Sequence, residues 1–144
     1  MHILDQMKFR NIILWKFRNK GLLENKIIHS MFHAIAGLIH AFHKQRNLKI
    51  MTVATILTLL VGIIFSLSLL EWFLVIYAIF CVFITELINT SIELVVDLVT
   101  KDYRLKAMLA KDVAAAATLI AVFQSIIIAT VIVLNRLNII RYKG

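Results

Sequence analysis

The sequence of 144 residues contains no proline, four glycines, one cysteine and only 8 acidic residues against 16 Lys and Arg. A single cysteine excludes an internal disulfide, and Cys81 lies in an apolar stretch where a small buried side chain is expected. Residues 1–20 lack the uninterrupted apolar run of a cleavable signal peptide, so none is expected. Apolar residues make up 61% of the chain, and its mean hydropathy is +0.89. This composition excludes an ordinary soluble domain and predicts one domain that exposes apolar surface to lipid.

The few acidic residues are concentrated in one apolar stretch. Glu86, Glu93 and Asp97 are among the 8 acids of the chain, and Asn89 and Thr90 lie between them. In an α-helix, these five residues fall within an arc of about 100° on one face. Each carboxylate costs roughly 2.5 kcal/mol or more at the centre of a membrane-spanning helix, so carboxylates in this setting indicate a functional site.

The distribution of apolar residues predicts an all-α integral membrane protein with three transmembrane helices. A basic segment at residues 1–27 precedes an amphipathic surface helix at residues 28–46. Three apolar stretches follow, at about residues 50–70, 71–99 and 112–135, and each is long enough to cross a bilayer. The second stretch is about 45 Å long as a helix, so its carboxyl-terminal end is expected to emerge from a hydrocarbon layer of about 30 Å. The residues between the second and third stretches are predicted to form a basic loop, and a short basic tail is predicted after the third.

The positions of Lys and Arg predict the orientation in the membrane. Nine precede the first apolar stretch, none lies between the first and second, four lie between the second and third, and three follow the third. Because Lys and Arg are enriched in cytoplasmic loops, the amino terminus of this multi-pass protein is predicted to be cytoplasmic. The acidic face then lies at the cytoplasmic surface of the membrane.

Histidines line the polar face of the predicted surface helix. His29, His33, His40 and His43 lie opposite an apolar stripe of the same helix. The spacing of His29 and His33 suits a transition-metal site, but a polar surface that contacts phosphates is the interpretation we favour. The basic segment before this helix suits either an anionic membrane surface or a nucleic acid. In a chain that spans a membrane we predict the membrane surface and no nucleic-acid partner.

Clustered carboxylates, an amide and nearby Lys and Arg suit phosphoryl transfer. Carboxylate oxygens suit Mg²⁺, which proteins usually hold through one or two carboxylates and substrate phosphates. Basic side chains bind phosphates, and a second carboxylate can act as a general base. Transfer from a cytoplasmic nucleotide to a lipid hydroxyl is therefore one hypothesis, although the sequence has no Gly-rich phosphate-binding loop. The alternative is a non-enzymatic protein whose polar face packs the helices together or lines an ion path.

Two blocks of sequence resemble a known family. They are ELINTSIELVVDL at residues 86–98 and AKDVAAAA at residues 110–117, and GLIHAFHKQRNLKI lies upstream of both. In the spacing of the polar residues within these blocks, the chain resembles the prokaryotic diacylglycerol kinase family. Within that family it is similar in particular to the undecaprenol kinases of Gram-positive bacteria. The resemblance covers roughly residues 28–134.

The resemblance implies a lipid kinase of the bacterial cell membrane, formed by residues 28–144 and assembled as a homotrimer. ATP and Mg²⁺ would bind between subunits at the cytoplasmic face, and the lipid would enter laterally. By position in the motif, Glu86 would be the general base for the lipid hydroxyl, Asn89 would support it, and Glu93 would ligate Mg²⁺. The residues implied in the nucleotide site are Lys111, Asp112, Asp102, Tyr103, Arg104 and His33.

One position departs from the family pattern. Where the family has a second metal-binding glutamate in an E-R-N context, this chain has Gln45 in Q-R-N. A Gln amide oxygen can ligate Mg²⁺ but brings no charge, so weaker Mg²⁺ binding or lower activity is expected. The alternatives are that the position tolerates Gln, or that the chain is a weakly active or inactive member of the family. The resemblance favours undecaprenol as the lipid, with undecaprenyl phosphate as product, and diacylglycerol is the alternative.

Overall fold

The computed structural model of the chain describes residues 26–142, which form four α-helices. They are α1 (Lys26–Lys44), α2 (Arg46–Ile64), α3 (Leu69–Val99) and α4 (Leu105–Tyr142). This part of the chain contains no strand, so the predicted all-α fold is confirmed for it. The basic segment predicted at residues 1–27 lies almost wholly outside the described residues, as does the side chain of His29.

The chain divides into two compact units, of which the first contains α1 and the second contains α2, α3 and α4. In α1, the large apolar side chains of Met31, Ile35 and Leu38 recur at helical spacing and are exposed. An apolar stripe of this kind is typical of a helix that lies in the plane of a membrane surface. His43 and Lys44 in the last turn complement the negative end of the helix dipole.

The three remaining helices are long and apolar enough to cross a membrane. The ranges that meet this criterion are Arg46–Ile64, Leu69–Val99 and Leu105–Leu137. Most of their large apolar side chains are exposed, as expected of helices that face lipid. Three candidate transmembrane helices were predicted from the sequence, and the structure confirms this number for the described residues.

A tight turn at residues 65–68 joins α2 to α3. Helix α2 ends at Ile64, before the end of the predicted apolar span, because Ser66 has a left-handed backbone conformation with φ of 49°. Ser68 then begins α3 through a capping box. Its hydroxyl accepts the N–H of Glu71 at 3.4 Å, and its own N–H donates to Glu71 Oε2 at 2.7 Å. The sequence Ser-Leu-Leu-Glu is the usual signature of this box, and it marks the helix start within an apolar run.

A glycine allows α2 and α3 to approach each other beside this turn. A Cβ atom added at Gly62 would lie 2.7 Å from the Cη2 atom of Trp72. Only glycine therefore fits at this position while the indole keeps its place. The contact brings the end of α2 against the first turn of α3.

The loop between α3 and α4 is shorter than the sequence predicted. The basic stretch up to residue 112 was expected to be a loop, but α4 already begins at Leu105. Residues 105–112 are mostly Leu, Lys, Ala and Met, which are strong helix formers, so the chain becomes helical before its uncharged stretch begins. In the loop that remains, the hydroxyl of Thr100 accepts the N–H of Asp102 at 3.1 Å. Lys111 consequently lies on a helix rather than in a loop.

Helices α3 and α4 are antiparallel and pack extensively against each other. Near the loop that joins them, Lys111 Nζ lies 2.5 Å from Asp97 Oδ1. Near the opposite end, Arg136 forms an ion pair with Glu71. The sequence suggested that Arg136 belongs to a basic tail, but it lies within α4, which continues to Tyr142. The two ion pairs fix the register of α3 against α4. A residue of α3 and a residue of α4 that are equally many positions from the same ion pair lie at the same height along the helix axes.

Candidate active site

The acidic face predicted from the sequence lies on α3, and its central residues are buried. Glu86 is 3% exposed and Asn89 is 5% exposed. The side-chain Nδ2 of Asn89 donates to Glu93 Oε1 at 3.1 Å, one turn further along the helix. This bond occupies one oxygen of Glu93 and leaves Oε2 for a further partner. Helix α3 thus presents a carboxylate, an amide and a second carboxylate in a row along one face.

Three buried polar atoms of α3 and α4 have no hydrogen-bond partner among the described residues. They are Asn89 Oδ1, Thr90 Oγ1 and Thr118 Oγ1. Buried polar atoms in proteins are nearly always paired, and an apolar environment makes an unpaired one costly. Thr90 was part of the predicted face, whereas Thr118 of α4 was missed. Its spacing of seven residues from Lys111, which repeats the same helix face, was the available signal.

A cleft of about 360 Å³ lies next to the acidic face, where α3 ends and α4 begins. Its lining includes Asp97, Lys101, Asp102, Tyr103, Arg104 and Lys111. Four of the six residues predicted for the nucleotide site therefore line one cleft. Asp112 is exposed and does not line it, and His33 is exposed on α1, in the other compact unit of the chain.

The Lys111 cation of this cleft has only a weak ion pair within the chain. The Lys111 and Asp97 side chains, which form the 2.5 Å contact, are 37% and 60% exposed. Exposed ion pairs contribute little to stability, because both charges are well solvated when they are apart. Lys111 can therefore exchange a carboxylate for a phosphate at small cost, which suits a side chain that binds an anionic ligand.

The candidate metal ligands Glu93 and Gln45 do not belong to a preformed group of three ligands in the described part of the chain. Among residues 26–142, no three His, Cys, Asp or Glu side chains come together as a metal site. Gln45 is the N-cap residue of α2, is half-buried and makes no side-chain capping bond. Because Mg²⁺ is commonly held by one or two carboxylates plus phosphate oxygens, the free oxygen of Glu93 suits it.

The opposite end of the helix pair carries a polar cluster that the sequence analysis missed. Arg136 Nε donates to Glu71 Oε1 at 3.0 Å, and its Nη2 donates to Oε2 of the same carboxylate. The guanidinium also donates to the carbonyls of Phe65 and Ser66, at 3.5 Å and 3.2 Å. We call these four residues the clamp, since they join the α2–α3 turn to α4. Two opposite charges near the ends of apolar helices were the signal for this pair.

Comparison with known proteins identifies the family. A family model described as prokaryotic diacylglycerol kinase matches residues 32–133. Undecaprenol kinase from Bacillus subtilis (strain 168) is 34% identical over 113 residues, which cover 78% of this chain and 92% of that protein. Diacylglycerol kinase from Synechocystis sp. is 32% identical over 112 residues, which cover 77% of this chain and 64% of that protein. The matched region contains the acidic face and the cleft, and the chain belongs to the prokaryotic diacylglycerol kinase family and is a lipid kinase.

Proposed function

We propose that the chain catalyses the ATP- and Mg²⁺-dependent phosphorylation of a membrane lipid hydroxyl, and that this lipid is undecaprenol. The observation that carries the proposal is that the row formed by Glu86, Asn89 and Glu93 is followed one turn later by Asp97, which lines the cleft together with Arg104 and Lys111. Buried carboxylates between apolar helices can meet a lipid head, whereas a cationic cleft can meet phosphates. The site for the lipid hydroxyl and the site for the ATP phosphates would thus lie next to each other.

Glu86 is proposed as the general base. Its buried carboxylate would accept the proton of the lipid hydroxyl, and the hydroxyl oxygen would attack the γ-phosphorus of ATP. The new oxygen–phosphorus bond forms as the bond from the γ-phosphorus to the bridging oxygen breaks, and ADP leaves with that oxygen. Asn89 would support the site through its hydrogen bond to Glu93, which fixes the orientation of that carboxylate.

The nucleotide is proposed to bind at the cleft. Lys111 and Arg104 would contact its phosphates, since both are cations that line the cleft. Glu93 would hold Mg²⁺ through Oε2, with the amide oxygen of Gln45 as a second ligand. The ion, when bound, neutralises charge on the phosphates. The remaining residues proposed for the nucleotide site are His33, Asp102, Tyr103 and Asp112.

A homotrimer in the bacterial cell membrane, with a cytoplasmic amino terminus and active site, completes the proposal. The excess of Lys and Arg before the first span and between the second and third supports this orientation. The trimer rests on the family resemblance.

The choice of undecaprenol rests on the comparison with relatives. The undecaprenol kinase of Bacillus subtilis matches this chain over 92% of its own length, whereas the diacylglycerol kinase of Synechocystis matches over 64%. Diacylglycerol remains the alternative acceptor, because both relatives have similar identity to this chain.

The test is transfer of radiolabelled γ-phosphate from ATP to undecaprenol and to diacylglycerol in parallel mixed micelles. We expect Mg²⁺-dependent labelling of undecaprenol by the parent chain. Glu86→Gln is expected to lower the rate by about 100-fold or more, because it removes the base but keeps the side-chain shape. Thermal unfolding of both proteins in the same detergent controls for folding. Labelling of neither lipid by the parent, or equal rates for parent and Glu86→Gln, would refute the proposal.

A further inference from the structure

Two threonines between α3 and α4 differ from the other hydroxyl side chains of these helices. Hydroxyls in apolar helices commonly donate to a backbone carbonyl three or four residues before them. In α3 and α4, four residues do so: Thr85, Ser91, Ser125 and Thr130. The buried hydroxyls of Thr90 and Thr118 do not, and they have no other partner among the described residues. Both hydroxyls are therefore available to a group that comes from elsewhere.

The register of the helix pair brings Thr90 and Thr118 to the same level. Thr90 lies seven residues before Asp97, and Thr118 lies seven residues after Lys111. Asp97 and Lys111 are in contact at 2.5 Å. Seven residues are almost two full turns in either helix. Thr90 and Thr118 therefore lie on the same helix faces as Asp97 and Lys111, about 10 Å further from the loop.

Asn89 supplies a third unpaired atom at this level. Its Oδ1 is buried and has no partner among the described residues, although its Nδ2 is bonded to Glu93. None of the three unpaired atoms bonds to another of them. The interface thus contains two hydroxyl groups and one amide oxygen, which together offer two donors and several acceptor positions. We call the side chains of Asn89, Thr90 and Thr118 the polar niche.

Small side chains of α4 flank the niche. Ala114 and Ala121 lie one turn on either side of Thr118, and both are buried at 6% exposure. By the register of the helix pair, they lie at about the level of Glu93 and Glu86, respectively. Thr118 itself is half-buried, so it lies at the rim of the interface, where a group entering from the membrane would meet it.

We propose that the polar niche hydrogen-bonds the hydroxyl end of the lipid acceptor. This inference rests on the proposed kinase function, and it assigns acceptor binding to Thr118, a residue of α4 outside the acidic face. The two lone pairs of an alcohol oxygen match the hydroxyl donors of Thr90 and Thr118, and its one proton would be accepted by Asn89 Oδ1 in the bound state and by the Glu86 carboxylate at the transfer step. An alcohol held beside Thr90 lies one helical turn from Glu86, the carboxylate that would take its proton.

The test separates lipid binding from nucleotide binding by measuring the KM of each in the radiolabelled transfer assay. Thr118→Val, which keeps the side-chain shape, is expected to raise the KM for undecaprenol about fivefold, the effect of losing one hydrogen bond. The KM for ATP is expected to stay unchanged, and Thr118→Ser is expected to restore the lipid KM. Thr130→Val is the matched control on the same helix, because the Thr130 hydroxyl already donates to the Ile126 carbonyl at 2.8 Å.

Equal lipid KM values for Thr118→Val and Thr130→Val would overturn the proposal. So would a change confined to the unfolding temperature, since a niche filled by water or by helix packing alone would affect only stability. Should Thr118→Val fail to fold, Thr90→Val is the second variant, and an unchanged lipid KM there would be equally decisive. Transfer by the parent with unaffected threonine variants contradicts only the niche. No transfer by the parent contradicts the proposed function, and the niche with it.

Discussion

The two ends of the α3–α4 helix pair hold their charges in different ways. At the clamp, Arg136 donates to both carboxylate oxygens of Glu71 and to two backbone carbonyls, and the Glu71 side chain is 17% exposed. At the loop end, Lys111 and Asp97 share one contact, and their side chains are 37% and 60% exposed. A bidentate pair with further partners is fixed in place, whereas a single exposed contact is easily exchanged.

Helix capping follows the same division. Ser68 begins α3 at the clamp end with a complete capping box, whereas Gln45 begins α2 without a side-chain capping bond. Because successive spans cross a membrane in opposite directions, the start of α2 is expected on the same side of the membrane as the α3–α4 loop. The polar groups at the clamp end thus have hydrogen-bond partners within the chain, whereas polar groups towards the loop end remain unpaired. Groups that a ligand must meet are expected at the end where structural bonds are fewest.

The sharpest test of this division compares the same substitution at the two ends of α3. Glu93→Gln is expected to lower the transfer rate by about 100-fold, because it removes the charge proposed to hold Mg²⁺, and to leave the unfolding temperature unchanged. Glu71→Gln is expected to lower the unfolding temperature and to leave the rate per folded molecule unchanged, because it weakens the bidentate pair with Arg136. Phosphate transfer and thermal unfolding in one detergent measure both. A loss of stability in Glu93→Gln as large as that in Glu71→Gln would remove the distinction between the ends.

A second comparison uses two matched substitutions, each of which removes one cation from one end of α4. Arg136→Met is expected to lower the unfolding temperature by several degrees, because the Glu71 carboxylate and the carbonyls of Phe65 and Ser66 lose their donor. Lys111→Met removes only an exposed contact, so its unfolding temperature is expected to stay close to that of the parent. It is expected instead to raise the KM for ATP, which Arg136→Met leaves alone. The same two measurements decide the result, and equal stabilities for the two variants would contradict the structural role of the clamp.

The local features of this fold could be predicted from the sequence, because they depend on residues close together in the chain. Hydropathy over about 20 residues indicated three long apolar helices, and a helical period put Glu86, Asn89 and Glu93 on one face. The boundaries were less accurate. Helix formers at residues 105–112 outweighed their charge, and a left-handed Ser66 ended α2 within an apolar run.

The contacts between helices could not be predicted, because they depend on the register of two helices that are far apart in sequence. Arg136 meets Glu71 only when α4 stays helical beyond its apolar stretch, and Thr118 faces Thr90 only in the register that this pair sets. The spacing of Thr118 from Lys111 indicates which helix face the two residues share, but not that the Thr118 hydroxyl is buried and unpaired. The niche therefore became visible only in three dimensions.

The smallest expected effect concerns Gln45, at the uncapped start of α2. Gln45→Glu is expected to lower the Mg²⁺ concentration for half-maximal transfer by about tenfold, because a carboxylate binds this ion more tightly than a neutral amide. Glutamate is a poor N-cap, so the unfolding temperature is expected to rise only slightly, through the favourable interaction of a negative charge with the helix dipole. Asn47→Asp is the matched control, since it adds the same charge at an exposed position in the first turn of α2. If Gln45→Glu and the parent have the same Mg²⁺ dependence, Gln45 is not a ligand; if Asn47→Asp shifts it equally, charge near the helix start is sufficient and direct ligation is excluded.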